Sequence, residues 1–407
     1  MKKLADGWHE VTIEEIASVD SGQGAPQGDK WYNGEKIFIK AGDLNNLTEG
    51  KYVGDYCQRI RNEAIGYHKL KEYPANSIVF PKSGMSVKTD NIALLKYDSY
   101  VVNHLAIVKV KENLCSEKYL YYLFKWKKIS NLSLNDSYPS IRLQDIKNFK
   151  ILLPPLPTQK KIAAVLEKAE KLREWRKEAD ELTDELLKST FLEMFGDPVD
   201  NPKGWEFVQL KSVYSKLKSG TKCGPFGSAL KKDEYVNSGV PVWTMDNIYE
   251  NKFLDEIYLY ITNEKYKQLE SYSVEKGDIL ISRAGTVGKM CVANPSINPS
   301  IISTNLIRLS LDSSKIKPIF FTCLMTYCKG KIGRLEAGKD GAYTFMNTGI
   351  LNALQIPLPP LPLQQKFASI VQQIEQIREH QTQSGQHIEN FFNVLMQRAF
   401  RGELEAK

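Results

Sequence analysis

Long apolar runs are missing from this sequence of 407 residues, so no segment is predicted to span a bilayer. The opening residues lack the apolar stretch of a signal peptide, which favours a cytoplasmic location. The six cysteines are scattered and include no CxxC pair, which predicts reduced thiols and argues against a structural zinc site. The five histidines form no cluster, and no metal site is predicted.

Catalytic motifs are equally scarce. A methyltransferase acting on a base amino group would need an Asn/Asp-Pro-Pro-Tyr/Phe motif, which the strings around Pro198 and Pro295 do not complete. The segment 285–290 only faintly echoes a phosphate-binding loop, because its glycine spacing is short and no Ser/Thr follows Lys289. A GxSxG nucleophile motif is missing too. The sequence therefore predicts no catalytic residue. It indicates a protein that recognises a target while other proteins carry out the reaction.

What the sequence does contain is a proline box that occurs twice. Leu-Pro-Pro-Leu-Pro-Thr-Gln fills positions 153–159 and Leu-Pro-Pro-Leu-Pro-Leu-Gln fills 358–364, an offset of 205 (359 minus 154). A long helical pattern follows each box at the same offset, and a Gly-Trp pair opens each half, at Gly7-Trp8 and at Gly204-Trp205. A repeat of half the chain length indicates a duplicated protein rather than a solenoid.

The duplication predicts two globular halves that alternate with two long helices. Within each half, short apolar strands and glycine-rich turns accompany one longer helix, at 117–128 and at 318–327, so a mixed α+β fold is predicted. The predicted boundaries, in chain order, are 1–157 for the first globular domain, 158–195 for the first long helix, 196–362 for the second globular domain and 363–407 for the second long helix.

Both long helices carry apolar or small residues at a heptad-like spacing. The positions predicted to face the partner helix are 162, 165, 169, 172, 179, 186 and 190 in the first helix and 367, 370, 374, 377, 388, 391 and 395 in the second. Each seam has a polar middle, at Arg176 and Thr183 and at Gln381 and Ser384, while Thr158 is the predicted N-cap of the first helix. Because the second helix must return to the first half, we expect an antiparallel coiled coil that holds two similar domains apart with pseudo-two-fold symmetry.

Positive charge is concentrated in the two globular halves. Residues 1–157 contain 22 Lys+Arg and 18 Asp+Glu, and residues 196–362 contain 20 and 16, so each half has a net charge of +4. The two helical segments are close to neutral. This distribution suits two nucleic-acid-binding domains, although two mildly basic domains without that role would carry the same charge.

Together these features resemble the DNA-specificity subunit of Type I restriction-modification systems. The resemblance covers essentially the whole chain. It is carried by the proline boxes at 154–161 and 357–366, the long helices after them, the two Gly-Trp openings and the segment 277–288. It implies two target recognition domains, each reading one half of a split double-stranded DNA target. Residues 80–84 are a looser version of 281–285, so the two domains need not contact DNA alike.

The same resemblance implies partners and cofactors. The long helices would separate the recognition domains and dock methyltransferase subunits, and restriction/translocase subunits would join that assembly. S-adenosylmethionine and ATP would bind those partner chains, so no cofactor is expected on this chain.

Polar and basic residues in loops of each half are the candidates for DNA contact, because such side chains bond base edges and phosphates. In the first half they are Gln23, Gln27, Lys30, Lys82, Ser83, Lys88, Asn91, Asn135, Ser137, Tyr138 and Arg142. In the second half they are Lys222, Ser228, Lys231, Lys232, Arg283, Thr286, Lys289, Lys339, Tyr343 and Asn347. For any one of them a solvated loop residue is the competing interpretation, whereas Trp126 and Trp243 are predicted to lie in the core.

Two other functions stay open on the sequence alone. A scaffold whose halves bind other proteins would differ from a DNA reader in its salt dependence, because phosphate contacts give a steep salt slope. A self-contained nuclease or methyltransferase is the third hypothesis, which the missing motifs disfavour.

Overall fold

The structure, a computed structural model, describes residues 7–45, 47, 50–133, 137–249, 251–283, 287–327 and 346–404, without the side chain of residue 228. The chain divides into two compact units, unit 1 of Met1–Ala179 with Gln381–Lys407 and unit 2 of Asp180–His380. Each unit therefore contains one globular half and parts of both long helices. The four domain boundaries drawn from the sequence stay a prediction, since this division follows contacts rather than chain order.

Unit 1 alternates short strands with short helices before the first long helix. The strands are His9–Thr12 (β1), Ala17–Ser21 (β2), Tyr32–Ile39 (β3), Tyr52–Val53 (β4), Arg59–Ile60 (β5), Glu72–Tyr73 (β6), Ile78–Pro81 (β7), Ala93–Leu95 (β8), Ser99–Val101 (β9), Leu105–Val110 (β10) and Lys150–Leu153 (β11). The helices are Ile13–Ile16 (α1), Asn62–His68 (α2), Glu117–Lys127 (α3), Leu143–Lys147 (α4) and the long Leu156–Phe195 (α5). The sheets have the orders β2-β10-β7-β8-β4, β5-β3-β9-β6 and β1-β11.

Unit 2 follows the same plan. Its strands are Phe207–Gln209 (β12), Thr221–Cys223 (β13), Val240–Trp243 (β14), Ile248–Tyr249 (β15), Lys252–Phe253 (β16), Tyr260–Ile261 (β17), Ile279–Ser282 (β18), Met290–Val292 (β19), Ile301–Ile302 (β20), Leu306–Leu309 (β21) and Gln355–Pro357 (β22). Its helices are Asn263–Leu269 (α6), Pro318–Tyr327 (α7), Thr348–Ala353 (α8) and the long Leu361–Phe400 (α9). The sheets have the orders β13-β21-β18-β19, β17-β14-β20, β12-β22 and β15-β16.

The two units share a topology. The order β13-β21-β18-β19 repeats β2-β10-β7-β8, and β17-β14-β20 repeats β5-β3-β9. In each unit the second sheet contains one parallel pair, β3 with β9 and β14 with β20, next to antiparallel neighbours. This repetition confirms the predicted pair of similar α+β domains.

Both long helices begin inside the proline box rather than after it. α5 starts at Leu156 and α9 at Leu361, so Pro157 and Pro362 occupy equivalent positions in the first turn. Proline is tolerated there because the first N–H groups of a helix have no intrahelical acceptor. The prediction that Thr158 is the N-cap is wrong, since its backbone N–H already donates to the carbonyl three residues earlier at 2.9 Å.

A buried glutamine closes each box and fastens the long helix to its own globular half. Gln159 is 0 % exposed; its Oε1 accepts from the Ser116 N–H at 2.8 Å, and its Nε2 donates to the carbonyls of Leu114 at 3.1 Å and Pro154 at 2.8 Å. Gln364, also 0 % exposed, makes the same three bonds to the equivalent backbone groups of unit 2, at 2.8, 3.3 and 2.8 Å. Because both amide donors are satisfied, a polar side chain can be buried here.

The long helices pack antiparallel within each unit. In unit 1, the Arg173 Nε of α5 lies 2.7 Å from a carboxylate oxygen of Glu389, which is near the end of α9. In unit 2, the ring of Phe195 at the end of α5 lies 5.2 Å from that of Phe367, which is near the start of α9. The predicted antiparallel pairing is therefore confirmed. No helix in the described ranges is apolar enough over a sufficient length to cross a membrane.

Each long helix ends on a phenylalanine that enters the core of a globular half. The ring of Phe400 lies 5.3 Å from that of Trp126 on α3, and the ring of Phe195 lies 4.8 Å from that of Phe320 on α7. The second helix thus returns to the first half, as predicted. Trp126 packs half-buried against this core and Trp243 is 0 % exposed in unit 2, so the core assignment of both is confirmed.

The prediction of which helix face is packed is wrong at several positions. Ile162, Ala169, Phe367 and Ile374 are buried as predicted. The exposed ones are Val165 at 37 %, Leu172 at 41 %, Leu186 at 50 %, Ile377 at 46 % and Phe391 at 52 %, and Ser384 is exposed as well. The packed face instead uses Leu166, Leu187, Phe191, Val371, Phe392 and Met396. Heptad spacing reveals a stripe but does not say which of two stripes meets the partner helix.

Candidate DNA-binding surface

Three loops of unit 1 meet around the turn between β9 and β10. The loop after β2 reaches it through Gln23, whose carbonyl accepts from the Asn103 N–H at 2.8 Å. The loop after β7 reaches it through Lys82, whose N–H donates to the His104 carbonyl at 2.9 Å. The loop before α4 joins through Ile141, whose N–H donates to the Lys82 carbonyl at 2.8 Å. Candidate residues from three separate parts of the sequence are thereby brought together.

Unit 2 makes two of the same loop connections. In unit 1 the Gly22 N–H also donates to the Leu105 carbonyl, at 3.4 Å, and the counterpart of Gly22 in unit 2 is Gly224. The Gly224 N–H donates to the Leu306 carbonyl at 2.9 Å, and the Arg283 N–H donates to the Asn305 carbonyl at 3.0 Å. We call this shared arrangement the loop frame, meaning residues 22–23, 82 and 103–104 in unit 1 and residues 224–225, 283 and 304–305 in unit 2. Arg283 occupies the place of Lys82, so both frames hold a basic residue directly after the central strand.

A glycine lies at the closest approach within each frame. A Cβ added to Gly22 would lie 2.1 Å from the Val101 carbonyl oxygen, and a Cβ added to Gly224 would lie 1.9 Å from the Ser303 carbonyl oxygen. Side chains cannot come so close to backbone, so only glycine allows the first loop to lie directly on the turn. The positions after these glycines are therefore held close to the rest of the frame.

The surface of the unit 1 frame combines a cation with neutral hydrogen-bonding groups. Lys82 is half-buried, and the Ser83 Oγ lies 2.8 Å from the His104 Nδ1. Asn103 is exposed beside His104, and Tyr138 is 62 % exposed on the loop before α4. These groups can donate to phosphate oxygens and to the acceptor atoms of base edges.

The surface of the unit 2 frame is more aromatic. The guanidinium carbon of Arg283 lies 4.3 Å from the ring centroid of Phe226, which is 53 % exposed. The Lys222 Nζ lies 4.6 Å from the ring centroid of Tyr272. Lys289 is exposed, and its N–H donates to the hydroxyl of the residue before Arg283 at 3.0 Å. Two of the three cations are thus positioned by rings.

Four candidate amide side chains are engaged within the chain, and the Nε2 of one of them, Gln27, donates to the Ala25 carbonyl at 3.1 Å. The Gln23 Nε2 donates to the Tyr73 hydroxyl at 3.2 Å, and its Oε1 accepts from a backbone N–H at 3.1 Å. The Asn91 Nδ2 donates to another asparagine at 2.8 Å. The Asn347 Oδ1 accepts from the Ile350 N–H at 2.9 Å and so caps α8. These bonds give each amide a role in the fold, and their DNA contacts stay predictions.

The other candidates divide into exposed residues and undescribed ones. Those exposed on the surface are Lys30, Lys88, Ser137, Arg142, Lys231 and Lys232. Asn135, Thr286, Lys339 and Tyr343 lie outside the described residues, as does the side chain of Ser228. Contact with DNA stays a prediction for every candidate in both units.

Sequence reasoning missed Asn103, His104 and Asn305 in the turns and Phe226 beside Arg283. The apolar runs around the first three predict continuous strands over 101–110 and 303–311, which leave no turn at these residues. A polar pair inside an apolar run, Asn103-His104 and again Thr304-Asn305, is the signal that marks a turn there. For Phe226 no sequence signal indicates the contact, because 57 residues separate it from Arg283 (283 minus 226).

Four of the five cysteines among the described residues are buried and offer little nucleophilic chemistry. Burial is the main cause that raises the pKa of the Cys57, Cys115, Cys291 and Cys323 thiols to about 12. A thiol with such a pKa stays protonated at neutral pH and is a poor nucleophile. Among the same described residues, no group of three His, Cys, Asp or Glu side chains could hold a metal ion.

The exposed apolar residues of the long helices form a second stripe, which we call the outer stripe. On α5 its members are 37–57 % exposed: Val165, Leu172, Trp175, Leu182 and Leu186. On α9 the positions 205 residues later are Ile370, Ile377, His380, His387 and Phe391. Apolar residues at heptad spacing are the pattern by which one helix packs on another. The outer stripe is therefore a candidate surface for a partner helix.

The family model for the Type I restriction modification DNA specificity domain matches residues 5–182 and residues 202–390, once in each half. These two matches cover most of the 407 residues, and the chain belongs to this family. The resemblance inferred from the doubled proline box is confirmed.

Individual relatives agree along nearly the whole chain. The Type I restriction enzyme MjaVIII specificity subunit of Methanocaldococcus jannaschii is 24 % identical, over 91 % of this chain and 93 % of the relative. A chain solved in work on complex assembly and conformational transition of the type I R-M system has a TM-score of 0.62 at 20 % identity, covering 99 % of this chain and 100 % of that one. The S subunit from M. genitalium has a TM-score of 0.57 at 16 % identity, covering 98 % of both. At these identities the structural likeness establishes the fold.

Proposed function

We propose that this DNA-specificity subunit reads a bipartite double-stranded target, one half-site with each unit. The observation that supports this most directly is the loop frame, which both units build from the same backbone bonds but fill with different side chains. Lys82 in one and Arg283 in the other would meet DNA at equivalent places with different donor geometry. Two equal scaffolds with unequal surfaces suit a target whose two halves differ in sequence.

The same proposal makes this chain the recognition part of a larger enzyme. The missing catalytic motifs and the buried thiols support a role without chemistry of its own. S-adenosylmethionine would serve methyl transfer and ATP would serve translocation, both on partner subunits. We place the assembly in the cytoplasm, where its DNA and partners would be.

The outer stripe supports docking of methyltransferase subunits on the long helices. Val165, Leu172 and Leu186 share one heptad position, and Trp175 and Leu182 share another. A stripe of this spacing is complementary to an amphipathic helix, which would bury the exposed apolar area. Restriction/translocase subunits would then join the DNA-bound assembly.

The test uses the complex of this chain with the methyltransferase subunits of its own system. Sequencing the methylated positions in DNA of the source cell supplies the target. Binding is then measured on the target and on duplexes altered in one half-site. K82A should cost about 1–3 kcal/mol and relax discrimination only in the half-site read by unit 1, and R283A only in the other.

A matched control and a contrary outcome sharpen this test. K267A removes an exposed lysine of α6 outside the loop frame and should leave discrimination unchanged. Binding that ignores sequence and changes little with salt would instead favour the scaffold hypothesis, because phosphate contacts impose a steep salt slope.

A further inference from the structure

Arg283 differs from the other two described arginines of unit 2 in what holds its guanidinium. Arg308 is bound by backbone carbonyls at 2.6 and 3.3 Å, and Arg378 by the Glu375 carboxylate at 2.6 Å. Among the described residues, Arg283 has no such acceptor, and its Nη1 is buried without a hydrogen-bond partner. What Arg283 does have is the Phe226 ring, 4.3 Å from its Cζ.

We propose that Phe226 is a positioning residue for Arg283, and that the pair reads a guanine in the half-site bound by unit 2. This inference rests on the proposed function. A ring over the guanidinium covers one face, whereas the N–H donors lie in the plane. Because Nη1 is buried, the edge formed by Nε and Nη2 is the one that would meet the base. The O6 and N7 atoms of guanine are the two adjacent acceptors that such a planar donor edge matches in the major groove.

The backbone holds both members of the pair against the same turn. The Arg283 N–H donates to the Asn305 carbonyl at 3.0 Å. Phe226 follows Gly224 by two residues, and the Gly224 N–H donates to the Leu306 carbonyl at 2.9 Å. Gly224 comes so close to Ser303 that only a residue without Cβ fits. The ring and the guanidinium therefore start from fixed backbone positions, which lowers the conformational entropy that an arginine loses when it binds.

Unit 1 lacks this pair although it has the same frame. Lys82 stands where unit 2 has Arg283, and Gly24, two residues after Gly22, stands where unit 2 has Phe226. A lysine ammonium is a point charge without a planar donor edge and needs no ring to orient it. The aromatic residue and the arginine thus occur together in one unit and are replaced together in the other.

The test compares four variants in the assembled complex: F226L, F226W, R283K and the double variant F226L/R283K. Affinity is measured for the target duplex and for duplexes in which each G·C pair of the unit 2 half-site is replaced in turn, at several salt concentrations. R283K should lower target affinity about 5- to 100-fold and abolish discrimination at one G·C pair. F226L should lower it about 2- to 10-fold, with the loss confined to that same pair.

Three further results are expected if Phe226 acts through Arg283. F226L should add nothing to R283K, because the ring has no other partner in reading the base. F226W should keep the discrimination, since it keeps an aromatic face. The salt slope of F226L should equal that of the wild type, because no phosphate contact is lost. F207L, which removes another half-exposed ring of unit 2 on β12, is the matched control and should change none of these values.

Other outcomes would overturn the inference. Equal weakening on every duplex with a shallower salt slope would show that Arg283 holds a phosphate, and additive losses in the double variant would remove the positioning role. If F226L alone fails to assemble, retained discrimination in F226W against lost discrimination in R283K still supports the pair, and equal behaviour of those two variants refutes it. A wild-type complex without sequence preference would refute the proposed function itself. An F226L variant with unchanged affinity and discrimination would refute only the positioning role of Phe226.

Discussion

The two units keep the same backbone scaffold but differ on the surface that it presents. Gln159 and Gln364 make the same three hydrogen bonds, and Gly22 and Gly224 make the same close approach. The glutamine side chains satisfy backbone hydrogen-bonding groups. The glycines leave room for two backbone segments to lie against each other. A change there would cost stability in either copy, so the scaffold can vary little.

The contacts made by the short helices α2 and α6 differ in kind between the units. In unit 1 the ring of Trp31 lies 4.9 Å from that of Tyr67 and 5.2 Å from that of His68, both on α2. In unit 2 the corresponding place between the turn 232–234 and α6 holds an ion pair, with Lys265 Nζ 2.6 Å from Glu234. The contact between the turn and the short helix is thus made by aromatic rings in unit 1 and by an ion pair in unit 2. Duplication has therefore preserved the fold and let the presented side chains diverge.

The largest expected effect comes from breaking the shared scaffold at the buried glutamines. Q159L or Q364L would leave one N–H and two carbonyls without these partners in a buried or part-buried setting, at a cost of about 2–5 kcal/mol in the free energy of unfolding. Chemical denaturation of the full chain measures this. Q365L, an exposed glutamine one residue further on α9, should change stability by less than about 0.5 kcal/mol. Equal behaviour of Q364L and Q365L would remove the anchoring role.

How far the sequence predicts this molecule depends on whether a feature is local or repeated. The doubled proline box, with the helical pattern after each copy, predicts the duplication and the antiparallel helices, because a repeat constrains both copies at once. The strand and helix patterns within each half predict the α+β fold. The box does not predict that Gln159 is buried, since glutamine is usually exposed and two of its three partners lie more than 40 residues away. The contact between Phe226 and Arg283 is hidden for the same reason.

The error on the long helices has a different physical origin. Leu172 and Leu186 belong to a regular heptad, which predicts that they face the other long helix. The packed seam is a second stripe on the same helix, through Leu166 and Leu187, and it is interrupted by polar residues such as Thr183. A helix that packs on one partner and keeps a second apolar face shows two overlapping periods. The periodicity of a single sequence does not show which of the two stripes packs on the other long helix.

A middle-sized effect, on binding of the methyltransferase subunit, is expected from the outer stripe. The stripe is apolar along α5 but includes two histidines on α9. L172S/L182S on α5 should weaken binding of the methyltransferase subunit by about 1–2 kcal/mol, because two half-exposed leucines are lost from the proposed docking surface. The equivalent change on α9, I377S/H387S, should weaken it less, since His387 is already polar. Titration calorimetry with purified methyltransferase subunits measures both.

The stripe variants carry their own control. Because Leu172 and Leu182 are exposed, the stability of the free chain should stay within about 0.5 kcal/mol of the wild type. E178S changes an exposed residue of α5 outside the stripe and should leave partner binding unchanged. Equal losses for the α5 and α9 pairs would show that the two outer stripes contribute alike, and no loss for either would place docking elsewhere.

The smallest effect concerns an ion pair that only one unit has. Glu167 on α5 lies 2.7 Å from the Lys51 Nζ and 3.0 Å from the Lys118 Nζ, and Gln372 stands 205 residues later in α9. Burial raises the pKa of the Glu167 carboxyl, but the hydrogen bonds from Lys51 and Lys118 outweigh it and hold the pKa below its ordinary value. A carboxyl of lowered pKa contributes stability above its ordinary pKa, and that contribution is lost as pH falls through the lowered pKa of the folded state.

E167Q should therefore lower the free energy of unfolding by about 1 kcal/mol at pH 7, a figure reduced for the partial exposure of the pair. The difference between wild type and variant should shrink as the pH falls below the ordinary glutamate value of 4.5, where the carboxyl of the unfolded chain is protonated as well. Denaturation curves at pH 7, 5 and 3 measure it. Q372E in unit 2 is the matched control and should bring no comparable gain at pH 7. A wild-type advantage that stays constant down to pH 3 would mean that packing of the side chain, rather than its charge, distinguishes the two units at this position.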